Sequence, residues 1–170
     1  MLRALLARGL TRFERNFHYD ATYMREILAV SPWAFLKFSL VGSLGHGRRA
    51  PPGAVAAAGV VGALTEDCGP CTQLGVDMAR RGGVPAETLR GILAGDAAAM
   101  GEAAALGWRF ARAVLARDME AAEPLRDEIL RRWGQGALVD IAMALTTARM
   151  YPTLKYALGH GKACSRVTVE

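Results

Sequence analysis

The chain has 170 residues, 52% of them hydrophobic, and a formal net charge of +5. That length and apolar content exclude a disordered chain and suit a single domain with its own core. The lysines and arginines are spread along the sequence, with no basic run interleaved with aromatics, so no nucleic-acid-binding stripe is read.

The first segment, Met1 to Phe17, repeats Leu2, Leu5, Leu6, Leu10, Phe13 and Phe17 on one helical face, with Arg3, Arg8, Arg12 and Arg15 off that stripe. It has neither the uninterrupted apolar region nor the small-residue cleavage site of a signal peptide. It reads as an N-terminal amphipathic helix over residues 1–22 that docks or drives oligomer formation; a transit peptide or a surface membrane anchor is the other reading. Residues 23–170 read as one helical domain.

Tyr23 to Val30 forms a short helix stopped at Ser31-Pro32, and Trp33 to Leu44 a second, ended by Gly45. The apolar run from Ile27 to Gly42 contains Pro32 and Lys37 and is too short to span a bilayer, which takes about 20 apolar residues. His46 to Gly53 is a loop by composition. Ala54 to Leu64, rich in Ala, Val and Gly, packs closely and is expected to be buried. Pro70 to Arg81 is helical, with Leu74 and Met78 inward and Gly82-Gly83 as the stop. Pro85 starts another helix through Leu89, Ile92 and Leu93 to Gly95. One long helix is expected from Ala97 to Ala116, striped by Met100, Ala104, Gly107, Ala111 and Val114. Pro124 opens a helix carrying Leu125, Ile129 and Trp133, and Gly134-Gln135-Gly136 breaks it. Ala137 to Met150 is helical again, with Leu138, Ile141, Ala142 and Leu145 inward, and Pro152 kinks or restarts it. Trp33, Trp108 and Trp133 read as core or interface anchors. The tail from Lys162 to Glu170 is irregular. The predicted fold class is all-α.

One stretch carries chemistry: Thr65-Glu66-Asp67-Cys68-Gly69-Pro70-Cys71. Pro70 disfavours a helical Gly69 and suits a helix's first turn. Cys68 therefore sits at the mouth of a helix and Cys71 in its first turn, where free N–H groups and the helix dipole favour thiolate. Residues at i and i+3 there lie close enough to close a disulfide. An odd cysteine count with a C-x-x-C pair points to redox chemistry or metal in a reducing, cytoplasmic compartment. Glu66 and Asp67 adjoin the pair and either cap the helix or accept a proton. Asp77 is turned away from Cys71. The loop histidines His46 and His160 are candidates to fold over the dithiol. Cys68, Cys71, His160 and Cys164 form an alternative Cys₃His zinc set; Cys164 otherwise reads as an incidental thiol.

Cys68-Gly69-Pro70-Cys71 is also the thioredoxin tetrapeptide, but no strands surround it. The longer stretch from Tyr23 to Gly159 resembles the AhpD-like, carboxymuconolactone decarboxylase superfamily. The resemblance rests on the C-x-x-C helix, the break Gly83-Val84-Pro85, the short helix ending in Ala94-Gly95-Asp96, and the closing apolar helices from Ala137 to Leu158. It implies an all-α AhpD-like helical bundle, usually homo-oligomeric, and a thiol–disulfide oxidoreductase. In the superfamily's peroxidases the later cysteine attacks peroxide and the earlier one resolves it, so the resemblance makes Cys71 peroxidatic and Cys68 resolving. The relay histidine's slot is Gly75 and the glutamate's slot is Ala56, which implies a weak peroxidase. The decarboxylases of the superfamily do not depend on this dithiol, so that activity is not expected. The expected partners are a peroxide or an oxidised thiol and a thiol/disulfide reductant protein, with no cofactor beyond the redox-active disulfide. The alternative is a non-catalytic helical oligomeric scaffold with a structural or zinc-bound dithiol.

Overall fold

Prolines and glycines set most of the boundaries in the chain. The computed structural model describes residues 1–45, 47–161 and 167–169, and every regular element among them is helical. α1 (Leu2–Phe17) ends where His18 turns left-handed, at φ 48°. α2 (Thr22–Val30) and α3 (Pro32–Leu44) are separated by Ser31, whose hydroxyl oxygen accepts from the Ala34 N–H. α4 (Pro52–Thr65) starts on the Pro51-Pro52 pair. α5 (Gly69–Arg81) and α6 (Ala86–Ala94) are joined through Gly82 and Gly83, and Gly95, at φ 72°, closes α6.

The long helix expected from Ala97 to Ala116 is instead two. α7 (Ala97–Met100) is capped by Asp96, whose carboxylate accepts from the Ala98 and Ala99 N–H groups. Gly101, at φ 74°, then breaks the chain before α8 (Glu102–Ala116). Only glycine takes that conformation without strain.

α9 (Met119–Ala157) also differs from the sequence reading. It starts at Asp118, whose side chain accepts from the Ala121 N–H, so Pro124 lies inside the helix rather than at its head. The expected break narrows to a kink at Gly134, at φ 79° and ψ 176°. Pro152 does not restart the helix; the backbone dihedrals around it stay helical.

α4 is the central helix, packed against α5, α6, α8 and α9. Its residues explain that position. Ala54, Ala57, Ala58, Val60, Val61, Gly62 and Ala63 are buried, and their small side chains let neighbours approach to backbone contact. A Cβ on Gly107 of α8 would come within 2.6 Å of the Ala54 carbonyl oxygen. One core cluster joins α4, α8 and α9 around Ile129, Ile141 and Leu106, and a second joins α4 to α6 around Leu89 and Ile92. On α9, Ile141 and Leu145 point inward as expected, but Ala142 is exposed and Ala137 and Ala144 take the inner face.

The third cluster positions the dithiol. Leu10, Tyr19, Ala21, Tyr23, Met24, Leu28 and Phe35 are buried together, with Phe13, Phe17, Leu74 and Tyr151 against them. The amphipathic stripe of α1 thus docks on its own chain, although Leu2 and Leu5 stay exposed. Trp33 is not a core residue; it is 69% exposed, while Trp108 and Trp133 pack against the core. No helix among the described residues is long and apolar enough to cross a membrane.

Candidate functional site: a buried disulfide under two tyrosines

α5 begins at Gly69, one residue before the sequence reading starts it at Pro70. Cys68 is its N-cap residue, Gly69 and Pro70 start the first turn, and Cys71 completes it. The two sulfurs are joined as a disulfide, with the α-carbons 5.3 Å apart. The first turn is tied down by Thr72, whose backbone N–H and hydroxyl both donate to the Cys68 carbonyl, at 2.9 and 3.0 Å. Both cysteines are buried: Cys68 is 2% exposed and Cys71 is 8% exposed.

The turn before Cys68 is held from α9. Asp67 adopts φ 50°, a left-handed conformation that aspartate tolerates better than most residues. The Tyr156 hydroxyl donates to the carbonyls of Glu66 and Asp67, at 3.0 and 2.8 Å. The Arg149 guanidinium donates from Nε to the Glu66 carboxylate at 2.6 Å. Glu66 is therefore an ion-pair residue that fastens α9 to the α4–α5 turn, and no side-chain bond caps α5.

Past the dithiol, Gln73 donates to the Asp77 carboxylate at 2.8 Å, which accounts for Asp77 without the sulfurs. Gln73 also exchanges two hydrogen bonds with the backbone of Thr168, donating at 2.9 Å and accepting at 2.7 Å. Val167 and Val169 pack against the second core cluster on either side of that pair.

His160 lies 2.7 Å from the Glu26 carboxylate through Nε2. With Asp20, Thr22, Tyr23 and Lys155 it lines a cavity of about 140 Å³. His46 and Cys164 lie outside the described residues, so the zinc set is not assembled from what is described; no group of three metal-ligating side chains occurs among the described residues.

The relay slots are as the sequence has them. Gly75 has no side chain, and a Cβ there would meet only Val60 Cγ2, at 4.0 Å. Ala56 is half-buried against the second core cluster. The side chain that reaches Cys71 comes from elsewhere: the Tyr19 hydroxyl lies 3.9 Å from the Cys71 sulfur. Tyr19 belongs to the connection between α1 and α2 and is 6% exposed. The Lys155 ammonium sits over its ring, 5.7 Å from the centroid.

Tyr23 stands behind Tyr19 and is 1% exposed, and its hydroxyl has no hydrogen-bond partner. Burial raises the pKa of Tyr19 above the ordinary phenol value, and the neighbouring Asp20 adds to this. Burial raises that of Tyr23 strongly, with the charge of an ionised Tyr19 opposing it further. The two hydroxyls are close enough to influence each other's ionisation without forming a well-aligned bond. Nothing in the sequence marks Tyr19 or Tyr23, because Tyr19 and Cys71 are 52 positions apart. Lys155 offered the one local signal, a charge inside an apolar segment.

The sequence matches no protein-family profile, and no curated protein and no solved structure matches the chain.

Proposed function

We propose that the protein is a thiol–disulfide oxidoreductase working through Cys68 and Cys71, in the manner of the AhpD-like proteins that its sequence resembles. The observation that carries this reading is the disulfide at the head of α5, closing a loop of sequence separation three. A pair placed there gains little as a staple and much from the helix N-terminus when reduced.

A dithiol reductant attacks the disulfide, leaves as its own disulfide, and gives up two electrons to the cysteine pair. In the oxidative half, the Cys71 thiolate attacks a peroxide's outer oxygen, and the O–O bond breaks to release an alcohol or water, with uptake of one proton. The sulfenic acid on Cys71 then condenses with the Cys68 thiol, expelling water and restoring the disulfide. An oxidised thiol partner replaces the peroxide by simple exchange. No group beyond the dithiol is required. With Gly75 and Ala56 in the relay slots, peroxide turnover is slow. A reducing cytoplasm suits such a pair.

The burial of both cysteines favours a second reading, a helical scaffold with a structural disulfide. The apolar side chains left exposed on α2 and α3, Val30, Trp33, Leu40 and Leu44, support self-association under either reading.

The deciding experiment equilibrates the folded protein with dithiothreitol at stepped ratios of its oxidised and reduced forms. Alkylation and peptide mass spectrometry then follow each cysteine. Cys68 and Cys71 should open and close together, reversibly, with far-UV circular dichroism unchanged. A pair that stays closed in excess reductant until the protein unfolds would establish the scaffold reading.

A further inference from the structure

Reduction of the Cys68–Cys71 bond places a new thiol or thiolate where water scarcely reaches. A buried anion needs donors, and its own helix offers few, since Gly75 has no side chain and Pro70 has no N–H. Of the adjacent carboxylates, Glu66 is engaged by Arg149, and Asp67 can only oppose a neighbouring negative charge when ionised. The polar groups in the packed surroundings are Tyr19 and Asp20 between α1 and α2, Thr22 and Tyr23 on α2, Tyr151 and Lys155 on α9, and His160 beyond it, which is paired with Glu26. Among them, the hydroxyl within hydrogen-bonding distance of the Cys71 sulfur is that of Tyr19. A disulfide sulfur carries no proton, so Tyr19 is the donor in that contact.

We propose that Tyr19, backed by Tyr23, is the hydrogen-bond donor that holds Cys71 as a thiolate once the pair is reduced. This rests on the reading that the pair cycles. In the disulfide form Tyr19 faces a weak sulfur acceptor, and the Tyr23 hydroxyl is buried without a partner. A thiolate changes both. Tyr19 donates to a full negative charge, and the Tyr19 oxygen, now more basic, accepts from Tyr23. The burial that raises both phenols keeps them protonated at neutral pH, so they serve as donors and not as bases. When a dithiol R(SH)₂ reduces the pair, the products are the cyclic disulfide of R, a Cys68 thiol, a Cys71 thiolate and one proton released to solvent. The two electrons come from the reductant, and neither tyrosine loses its proton. Tyr19 touches the reacting sulfur and is in this sense catalytic; Tyr23 acts through it and is a positioning residue.

The test is the pH profile of Cys71 alkylation by iodoacetamide in the reduced, full-length protein, resolved by peptide mass spectrometry so that Cys68 and Cys164 are counted separately. A hydrogen bond to a charged group is strong enough that Tyr19→Phe should raise the Cys71 midpoint by about one pH unit or more. Tyr23→Phe should raise it by less, in the same direction. A folded Tyr19→Phe protein with the wild-type midpoint overturns the proposal. Should Tyr19→Phe fail to fold, the reduced-minus-oxidised ultraviolet difference spectrum of the wild type decides. A tyrosine band shift that Tyr23→Phe diminishes supports the donor pair, and a spectrum without a tyrosine signal sinks it. A pair that resists reduction altogether removes the oxidoreductase reading and this one with it. A pair that reduces normally with an unshifted midpoint removes this one alone.

Discussion

The Tyr156 hydroxyl lies 2.8 Å from the carbonyl oxygen of Asp67, the left-handed residue just before the first cysteine. A residue near the end of α9 thus fixes the entry angle of α5, 89 positions away in sequence. Tyr156→Phe keeps the ring and deletes the bond. It should cost about 0.5–1 kcal/mol, the net worth of one partly exposed hydrogen bond, read as a lower urea midpoint. Asp67→Ala should cost about 1 kcal/mol through the left-handed backbone alone, whereas Asp67→Gly should not. Equal effects of the two Asp67 substitutions would mean that its side chain, and not its conformation, matters.

Reduction should leave the protein folded. A loop with sequence separation three restricts the unfolded chain by about 2 kcal/mol at most in the chain-entropy treatment. Denaturant unfolding with and without dithiothreitol should show a shift no larger than that, with an unchanged slope. Global unfolding on reduction would mean that the bond is a structural staple.

Alkali should destabilise the fold through its phenols. Tyr19, Tyr23 and Tyr151 all have pKa values raised by burial. In the unfolded chain a tyrosine ionises near pH 10. The folded phenols bind their protons more tightly, so their contribution is fully present below about pH 10 and is lost as pH rises through the higher folded values. Unfolding free energies measured between pH 8 and 11 should fall at the upper end, more shallowly in Tyr23→Phe. At pH 7 that variant should be no less stable than wild type, since it removes a buried hydroxyl that has no partner.

Installing the missing relay should speed peroxide turnover. A Cβ at position 75 would meet only Val60 Cγ2, at 4.0 Å, so a histidine has room to start. Ala56→Glu with Gly75→His should raise the peroxide rate at pH 7 by up to about a hundredfold, in proportion to the Cys71 still protonated there. The wild-type rate should climb as pH rises through the thiol's ionisation. A wild type already fast at pH 7 and indifferent to the two changes would mean that the relay slots do not limit it.

Leu40 is 68% exposed on α3, close to Leu44 and Trp33 on the same helix. Leu40→Glu should lower the mass seen by light scattering at micromolar concentration without lowering the melting temperature. A wild-type protein that scatters as a clean monomer would leave this apolar surface without a second copy to cover it.

Local rules of sequence carry much of the fold. The start of α5 follows from Pro70, its end from Gly82-Gly83, and the burial of α4 from its run of small residues. The misreadings have physical causes too. Gly101, whose positive φ divides α7 from α8, sits inside a stretch with an unbroken helical stripe, and Asp118 rather than Pro124 heads α9 because its side chain caps the first turn. At the site, the C-x-x-C pair is local and legible, while its surroundings are not. Tyr19 reaches the dithiol through packing, with Lys155 over its ring and Tyr23 behind it, and the two tyrosines would pass in sequence for ordinary core residues. The same holds for Asp140, whose buried carboxylate accepts from the Arg49 and Ala50 N–H groups at 2.6 and 3.3 Å and so anchors the entry to α4 from 90 residues away. Glu66 was legible as a polar neighbour of Cys68, but its bond to Arg149 was not.

Gln73 holds residue 168 through the peptide group alone, its amide standing in for the neighbouring strand that a sheet would supply. The grip is therefore blind to which side chain position 168 carries, provided that the residue keeps its N–H. The constraint falls wholly on position 73, one turn beyond the head of α5. Asparagine there is a methylene too short, and glutamate cannot donate. Position 168 is thus free to vary in side chain while its attachment to the dithiol helix stays the same; Val167 and Val169, packed against the second core cluster, are not, and exchanging the single amide at 73 would leave the segment to those two apolar contacts.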